Sequence, residues 1–397
     1  MAKKSVATAT PTDEKMTVTM ATADLQAICN KVAKGVKNNK VMDITGLLLI
    51  KFANTNLTLT ATDGTTNVEC TLEKVASKAN FEVLIKADTF IKLIARTTAP
   101  KITLTVIPGK TENDNNCVQV KGNGTYNFET EVLQEGDQFP NFKFDSKEKK
   151  SIKKTILDKA IKNNRPATSD NSTTQLVYTG IFFGDDVISS DSEKATATLS
   201  NIFGKDILLR AEAIDLLSIF DKEELTATFK DERITITDGL NTVYTAEMEN
   251  KNDYALDVIR NFIYEGEFSN EAILRKDDLL GCLDRLSIFK DAYSCDGVQL
   301  SFDKTGVTVT NTKSKNASET ITYVEDIKDV KPFVCDIKAD YLKSQIQVAG
   351  DYVCLGFGND TALRIKSVEQ QVKDGVVQGY VVEDNVILLV AFLEDEQ

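Results

Sequence analysis

The sequence predicts an α+β chain built from a tandem repeat of helix–hairpin units, and three observations carry that prediction. A short phrase of basic or small residue, spacer and acid recurs as Thr22-Ala23-Asp24, Lys86-Ala87-Asp88, Arg210-Ala211-Glu212, Arg275-Lys276-Asp277 and Lys338-Ala339-Asp340. Its acids lie 64, 124, 65 and 63 residues apart, so the double-length gap holds a sixth unit, placed by a helix-like run starting near Ser151. Each phrase is followed first by a 3.6-period apolar stripe and then by two alternating runs around a turn.

The stripes are Leu25, Ile28, Cys29, Val32 and Val36; Phe90, Ile91 and Ile94; Ile152, Ile156, Leu157, Ala160 and Ile161; Ala213, Leu216, Leu217 and Phe220; Leu279, Leu283 and Leu286; and Leu342, Ile346 and Ala349. An acid in the first turn suits the exposed N–H groups and the dipole of each helix. The hairpins are expected at 47–60, 102–120, 225–236, 298–309 and 353–365, with a less regular set through Leu176-Val177-Tyr178, Ile181-Phe182-Phe183 and Val187-Ile188. One unit is too small to bury a good core, whereas two packed together suffice. Six units therefore make three domains, expected at 16–146, 147–265 and 266–397 after a disordered, polar tail at 1–15. Boundaries fall in the Lys-rich stretch Lys147–Lys150 and in Phe262–Asn270; Gly109–Asn116 and Asn163–Thr174 read as exposed loops.

Composition narrows the chemistry. The chain has 397 residues, seven cysteines and neither histidine nor tryptophan. Without histidine the usual general base, the Ser-His-Asp triad and the commonest zinc ligand are all missing. The scattered cysteines read as buried free thiols in a reducing cytoplasm. The acid pairs Asp185-Asp186 and Asp277-Asp278 are the only enzyme-like feature, and neighbours in sequence seldom converge on one substrate; they read as turn and helix-start residues. There is no phosphate-binding loop, no dinucleotide fingerprint and no cofactor motif. No apolar run is long enough to cross a bilayer, and the N-terminus lacks a signal-peptide core.

The charge is unevenly placed. The net charge is −13, yet the six helix windows together carry +7 and the remainder −20. The window 151–165 is the most basic, at +4. A basic, helix-lined surface within an acidic shell can hold duplex DNA without reading its sequence. The residues expected to face DNA are Lys34, Lys37, Lys40, Lys92, Arg96, Lys159, Lys162, Arg165, Arg285 and Lys343.

Together these features resemble the bacterial β sliding clamp, the processivity subunit of DNA polymerase III, over roughly Met16 to Leu393. The matching segments run in family order: Leu57-Thr58-Leu59-Thr60-Ala61-Thr62-Asp63-Gly64, Tyr126-Asn127-Phe128 through Phe139-Pro140, Thr179-Gly180-Ile181, Asp253-Tyr254, Gly297-Val298-Gln299-Leu300 and Ala339-Asp340-Tyr341-Leu342. The resemblance implies three clamp-type domains forming half of a ring, with helices inside and sheets outside. It implies a non-enzymatic homodimer that encircles duplex DNA and slides, tethers the DNA polymerase, and is placed by a separate clamp loader.

By the same resemblance a partner-peptide pocket would use Tyr178, Ser190, Ser192, Ala195, Tyr341, Leu389, Val390 and Phe392. The ring would close through Tyr126 and Phe128 of one chain and Ile288 and Phe289 of the other. This chain departs from the family pattern at the pocket. Ser189-Ser190-Asp191-Ser192-Glu193-Lys194-Ala195 replaces Ala-Thr-Asp-Gly-His-Arg-Leu, and Leu389-Val390-Ala391-Phe392-Leu393 replaces Met-Pro-Met-Arg-Leu. Such divergence suits a clamp carried by a phage or mobile element. A structural repeat protein, such as a virion or scaffold component, is the alternative reading.

Overall fold

The structure is a computed structural model that describes residues 16–37, 42–109, 115–133, 138–169, 175–289, 297–312, 317–325, 327 and 330–393. The expected tail at 1–15, Lys40 and Cys295, with parts of the two expected loops, lie outside these residues. Six times a strand runs straight into a helix that is followed by a short meander. β1 (Met16–Ala21) leads α1 (Thr22–Val32), then β2 (Leu47–Ala53), β3 (Asn56–Thr62) and β4 (Asn67–Leu72). β5 (Phe81–Lys86) leads α2 (Ala87–Arg96), then β6 (Lys101–Ile107), β7 (Cys117–Lys121) and β8 (Thr125–Glu129). β9 (Lys149–Lys153) leads α3 (Lys154–Asn164), then β10 (Gly180–Phe183), β11 (Val187–Ser190) and β12 (Lys194–Thr198). β13 (Ile207–Arg210) leads α4 (Ala211–Asp215), then β14 (Glu224–Lys230), β15 (Arg233–Thr237) and β16 (Asn241–Ala246). After the additional helix α5 (Leu256–Tyr264), β17 (Asn270–Arg275) leads α6 (Lys276–Leu286), then β18 (Gly297–Phe302), β19 (Gly306–Asn311) and β20 (Ser318–Thr322). β21 (Phe333–Lys338) leads α7 (Ala339–Val348), then β22 (Tyr352–Phe357), β23 (Ala362–Lys373), β24 (Val376–Val382) and β25 (Val386–Ala391).

The recurring phrase thus marks a strand-to-helix corner. Lys86, Arg275 and Lys338 are N-caps in extended conformation, and the acid two residues on sits in the first helical turn. None of these caps uses its side chain, so the acid's favourable interaction with the helix dipole matters more there. α3 has no acid in its first turn, which is why the phrase is missing from that repeat.

Four local expectations are corrected. The exposed loop expected from Asn163 is helical at its start, with Asn163 and Asn164 closing the third helix, Arg165–Ala167 in a 3-10 turn, and Asn163, Asn164, Ala167, Thr168 and Ser169 buried. The third helix starts at Lys154, not Ser151, because Ile152 belongs to β9; Ile156, expected in the buried stripe, is 45% exposed. Leu176-Val177-Tyr178 forms part of a 3-10 turn rather than a strand. Val36 lies beyond the end of α1. The remaining stripes bury their main residues, including Leu25, Phe90, Leu217, Leu279 and Leu342.

By its contacts the chain forms two compact units, 1–154 with 212–247 and 155–211 with 248–397. In the first unit one sheet has the order β1-β6-β7-β8 and another β5-β2-β3-β4-β16-β15-β14-β9. In the second the orders are β13-β10-β11-β12-β25-β23-β22-β17, with β24 on β23, and β20-β19-β18-β21. The strand leading each helix therefore pairs with the meander of the neighbouring repeat. β1 joins β6 while β5 joins β2; β9 joins β14 while β13 joins β10; β17 joins β22 while β21 joins β18. This exchange ties the repeats together in pairs.

Two antiparallel seams extend the sheets. β4 pairs β16 through Asn67↔Tyr244 to Cys70↔Asn241, and β12 pairs β25 through Lys194↔Val390 to Thr198↔Val386. The core of the second unit includes a Phe302–Phe357 stack at 4.2 Å beneath α6 and α7. Five cysteines are buried, and burial pushes Cys70, Cys282, Cys335 and Cys354 up to about 12, so they stay as thiols.

The first seam is held at one end by Asp238. Its Oδ1 accepts from the Leu240 and Asn241 N–H groups at 2.9 and 2.7 Å; its Oδ2 accepts from the Asp221 N–H and the Asn241 amide, both at 2.9 Å. Burial alone would raise this carboxyl, but the hydrogen bonds from Asn241, Asp221 and Leu240 hold it below the usual range. A depressed folded pKa means full stabilisation above the unfolded value of about 3.9, lost as pH falls through the lower folded value. Asp238→Asn is expected to cost about 1–3 kcal/mol at neutral pH and to flatten the acid limb of a stability–pH curve. Urea melts at pH 7 and pH 3 check this; equal losses at both would refute it.

Candidate functional site

The residues expected to bind a partner peptide lie in the second unit, around the end of β25. Side chains alternate across a strand, so neighbouring Leu389 and Val390 enter different cores. Leu389 joins Ala195 in the cluster against which Tyr178 packs, while Val390 joins the cluster against which Tyr341 and Phe392 pack. Leu389 and Val390 have no exposed surface and Ala195 is 3% exposed, whereas Tyr178, Tyr341 and Phe392 are partly exposed. The accessible aromatic groups are therefore Tyr178 on one side and Tyr341 with Phe392 on the other.

A tight turn lies beside them. Asp191 Oδ1 accepts from the Glu193 and Lys194 N–H groups at 3.1 and 2.7 Å, and Ser190 Oγ donates to the Lys194 carbonyl at 2.9 Å. Ser192 takes a left-handed φ of 74° at the apex, where the family pattern has glycine. The turn is tied to β25 by the Ala391 N–H donating to the Glu193 carbonyl at 2.8 Å. Lys338 Nζ contacts both Glu193 carboxylate oxygens at 2.8 and 2.6 Å. The ammonium groups of Lys194 and Lys338 stand 4.6 and 4.7 Å from the Tyr341 ring centre, a cation–π arrangement on both. Burial, then the hydrogen bond to Glu193, raises the Tyr341 hydroxyl.

Glu193, Lys194 and Lys338 are the site residues that sequence reasoning left out. The signal was present in the Glu193-Lys194 departure, but Lys338 is 145 residues from its partner. On the other side Tyr178 lies 5.6 Å from Tyr254, which stacks on Phe182. α5 is pinned there by Arg260 and Tyr264 converging on buried Asp186. That ion pair gives one member of the Asp185-Asp186 pair a structural role; Asp185 accepts from Asn201 at 3.0 Å. Asp277 and Asp278 occupy the first turn of α6.

Of the residues expected at the ring joint, one pair lies on a sheet-end strand and the other in a turn after a helix. Tyr126 and Phe128 are on β8, the last strand of its sheet; Tyr126 is 40% exposed and Phe128 packs edge-on to Phe90 at 5.7 Å. Tyr126 also lines an open cavity of about 490 Å³ with Asp88, Lys92, Leu93 and Arg96. In the other unit Ile288 and Phe289, in a 3-10 turn after α6, are 77% and 53% exposed.

Ion pairing sorts the basic residues. Arg285 is held by Glu319 through a bidentate pair from Nε and Nη2, Lys343 by Asp284, and Lys92 by Asp88 at 2.7 Å. Arg165 donates to Thr168 at 2.6 Å, and Lys34 donates to Ser218 at 2.8 Å. Lys37, Arg96, Lys159 and Lys162 are exposed and make no ion pair among the described residues. Lys40 lies outside them.

Residues 16–143 match the family model of the DNA polymerase III beta subunit, N-terminal domain. None of the curated protein sequences matches the chain. Among solved structures, it resembles the DNA polymerase III subunit beta from Borrelia burgdorferi in complex with a natural product, at 16% identity and a TM-score of 0.79, covering 96% of this chain and 98% of that one. A Pseudomonas aeruginosa sliding clamp bound to griselimycin superposes at 14% identity and 0.78, with 96% and 100% covered. The Bacillus subtilis DNA polymerase sliding clamp does so at 13% and 0.77, with 96% and 100% covered. The chain has the sliding-clamp fold along nearly its whole length, and its first 128 matched residues carry that family's own N-terminal domain signature.

Proposed function

We propose that this chain is a divergent sliding clamp, a DNA polymerase processivity factor that performs no catalysis and needs no cofactor. Three domains, at 16–146, 147–265 and 266–397, form half of a ring with helices inside and sheets outside. Two copies close head to tail around duplex DNA, slide along it and tether the replicative polymerase. A separate clamp loader opens the ring, and the protein works in the cytoplasm. Among the described residues no helix is long and apolar enough to cross a membrane.

One observation carries the reading. Six repeats end in six equivalent meander edges, and four of them are consumed by the seams β4–β16 and β12–β25. The remaining two, β8 and β20, each end a sheet with one edge unpaired among the described residues; β8 bears exposed Tyr126, and exposed Ile288 and Phe289 lie in the same repeat as β20. The other six sheet ends are strands that turn straight into a helix, whereas β8 and β20 are meander edges of the kind that pair inside the chain; the two differ, so a second copy joined head to tail would satisfy both by that same rule. Enclosure also explains how a protein of charge −13 serves DNA. Retention comes from topology, so phosphate affinity stays low enough to permit sliding.

Loaded on nicked circular DNA, the protein should co-elute with the circle on gel filtration and be lost when the circle is linearised. Equal retention on both forms would overturn the proposal.

A further inference from the structure

We propose that the open edge of β9 is a nucleic-acid phosphate-binding strip, separate from the helix lysines; this rests on the reading of DNA as the partner. Five of the eight residues Lys147–Lys154 are lysine and one is acidic, in a chain of net charge −13. Lys147, Lys149, Lys150 and Lys153 are all exposed and make no ion pair among the described residues.

The ordinary explanation for lysine on an edge strand is protection against edge-to-edge association. The fold itself supplies the control for that explanation. All six helix-leading strands, β1, β5, β9, β13, β17 and β21, lie at sheet ends. The other five carry one basic residue or none, whereas β9 carries three and is flanked by two more. Equivalent edges are thus managed with at most one basic residue, and the excess on β9 answers another need.

The geometry suits a polyanion. Among the described residues β9 pairs only with β14 and ends its sheet, so no strand occupies its other edge. Ile152 is the anchor, 4% exposed, and alternation puts Lys149, Ser151 and Lys153 on the opposite face. Glu224 stands opposite Lys153 in the strand register and accepts from the Ser151 hydroxyl at 3.0 Å, without an ion pair to Lys153. At about 3.4 Å per residue, Lys149 and Lys153 stand about 14 Å apart along the strand, a span over which duplex DNA presents several phosphates. An extended row of ammonium groups has no base-reading fork, so the contact is independent of sequence.

The test uses full-length protein without loader and a labelled duplex of about 40 base pairs, with binding read by anisotropy from about 50 to 200 mM salt. The variant K149T/K150T/K153T keeps strand propensity, and an unchanged melting temperature confirms its fold. Binding at low salt should weaken at least tenfold, and the slope of log K against log salt should shrink by about 2 to 3. An unchanged slope and affinity would overturn the strip, even if retention on circular DNA stands. Loss of binding with no retention on circles would support the strip and remove the clamp reading. Poly-L-glutamate of matched charge competing as well as DNA would overturn the nucleic-acid assignment in favour of an acidic protein partner.

Discussion

Replacing Ile288 and Phe289 together by Asp is expected to leave the chain folded and convert the protein from a dimer to a 43.8 kDa monomer. The two side chains are 77% and 53% exposed, so the isolated chain loses almost no buried contact. In a closed ring they would be anchors of an interface, where central apolar side chains often cost about 2 kcal/mol or more each on truncation. Burying two carboxylates in their place adds a desolvation penalty. A combined loss of roughly 4 kcal/mol or more weakens the dimer about a thousandfold. Light scattering across a dilution series reads the mass, and thermal melting reads the fold. A double variant that stays dimeric at the lowest concentration, or a wild type that is already monomeric, would remove Ile288 and Phe289 from the joint. Retention on circular DNA should vanish with the dimer.

Two substitutions at the end of β25 are expected to fail in different ways. Val390 has no exposed surface and lies between β12 and β23, paired with Lys194 and Leu363. Val390→Asp puts a carboxylate into the core shared by α6 and α7, at a cost of several kcal/mol, about 3 or more. The expected result is a melting temperature lowered by many degrees or insoluble protein. Phe392 is only partly buried, with its ring 6.0 Å from Phe333 and its backbone N–H held by the Thr361 carbonyl at 2.9 Å. Phe392→Ala should cost about 1–2 kcal/mol, preserve the fold and the dimer, and reduce stimulation of the partner polymerase at least tenfold. A soluble Val390→Asp variant with normal melting would contradict the core assignment. Full polymerase stimulation by Phe392→Ala would contradict the pocket. The pair would have been read as equivalent from sequence; strand alternation separates them.

Much of this protein was determined locally. Repeat length, the number of helices in the repeats and the buried face of most of them follow from period and spacing, because an amphipathic helix must bury its stripe wherever it packs. The basic-x-acid phrase marked helix starts correctly since it encodes a strand end, a cap and a favourable first-turn charge. The third helix was misplaced by three residues for an equally local reason. Ile152 and Ile156 are apolar at helical spacing, and no Pro or Gly separates β9 from α3, so the pattern runs unbroken through a change of structure. α5 escaped notice because it lies outside the repeat.

Only the tertiary structure decided what the repeats share. The exchange of leading strands between paired repeats brings together residues many tens of positions apart, and no local pattern says which meander each leading strand will join. The same holds for charge. Arg285 and Lys159 read alike along the chain, yet Arg285 meets Glu319 across 34 residues and is neutralised, while Lys159 remains an unpaired cation among the described residues. Hydrophobic periodicity acts between near neighbours and is written in the sequence. Ion pairing, seam formation and which edges stay open depend on distances between remote segments, and those exist only once the chain has folded.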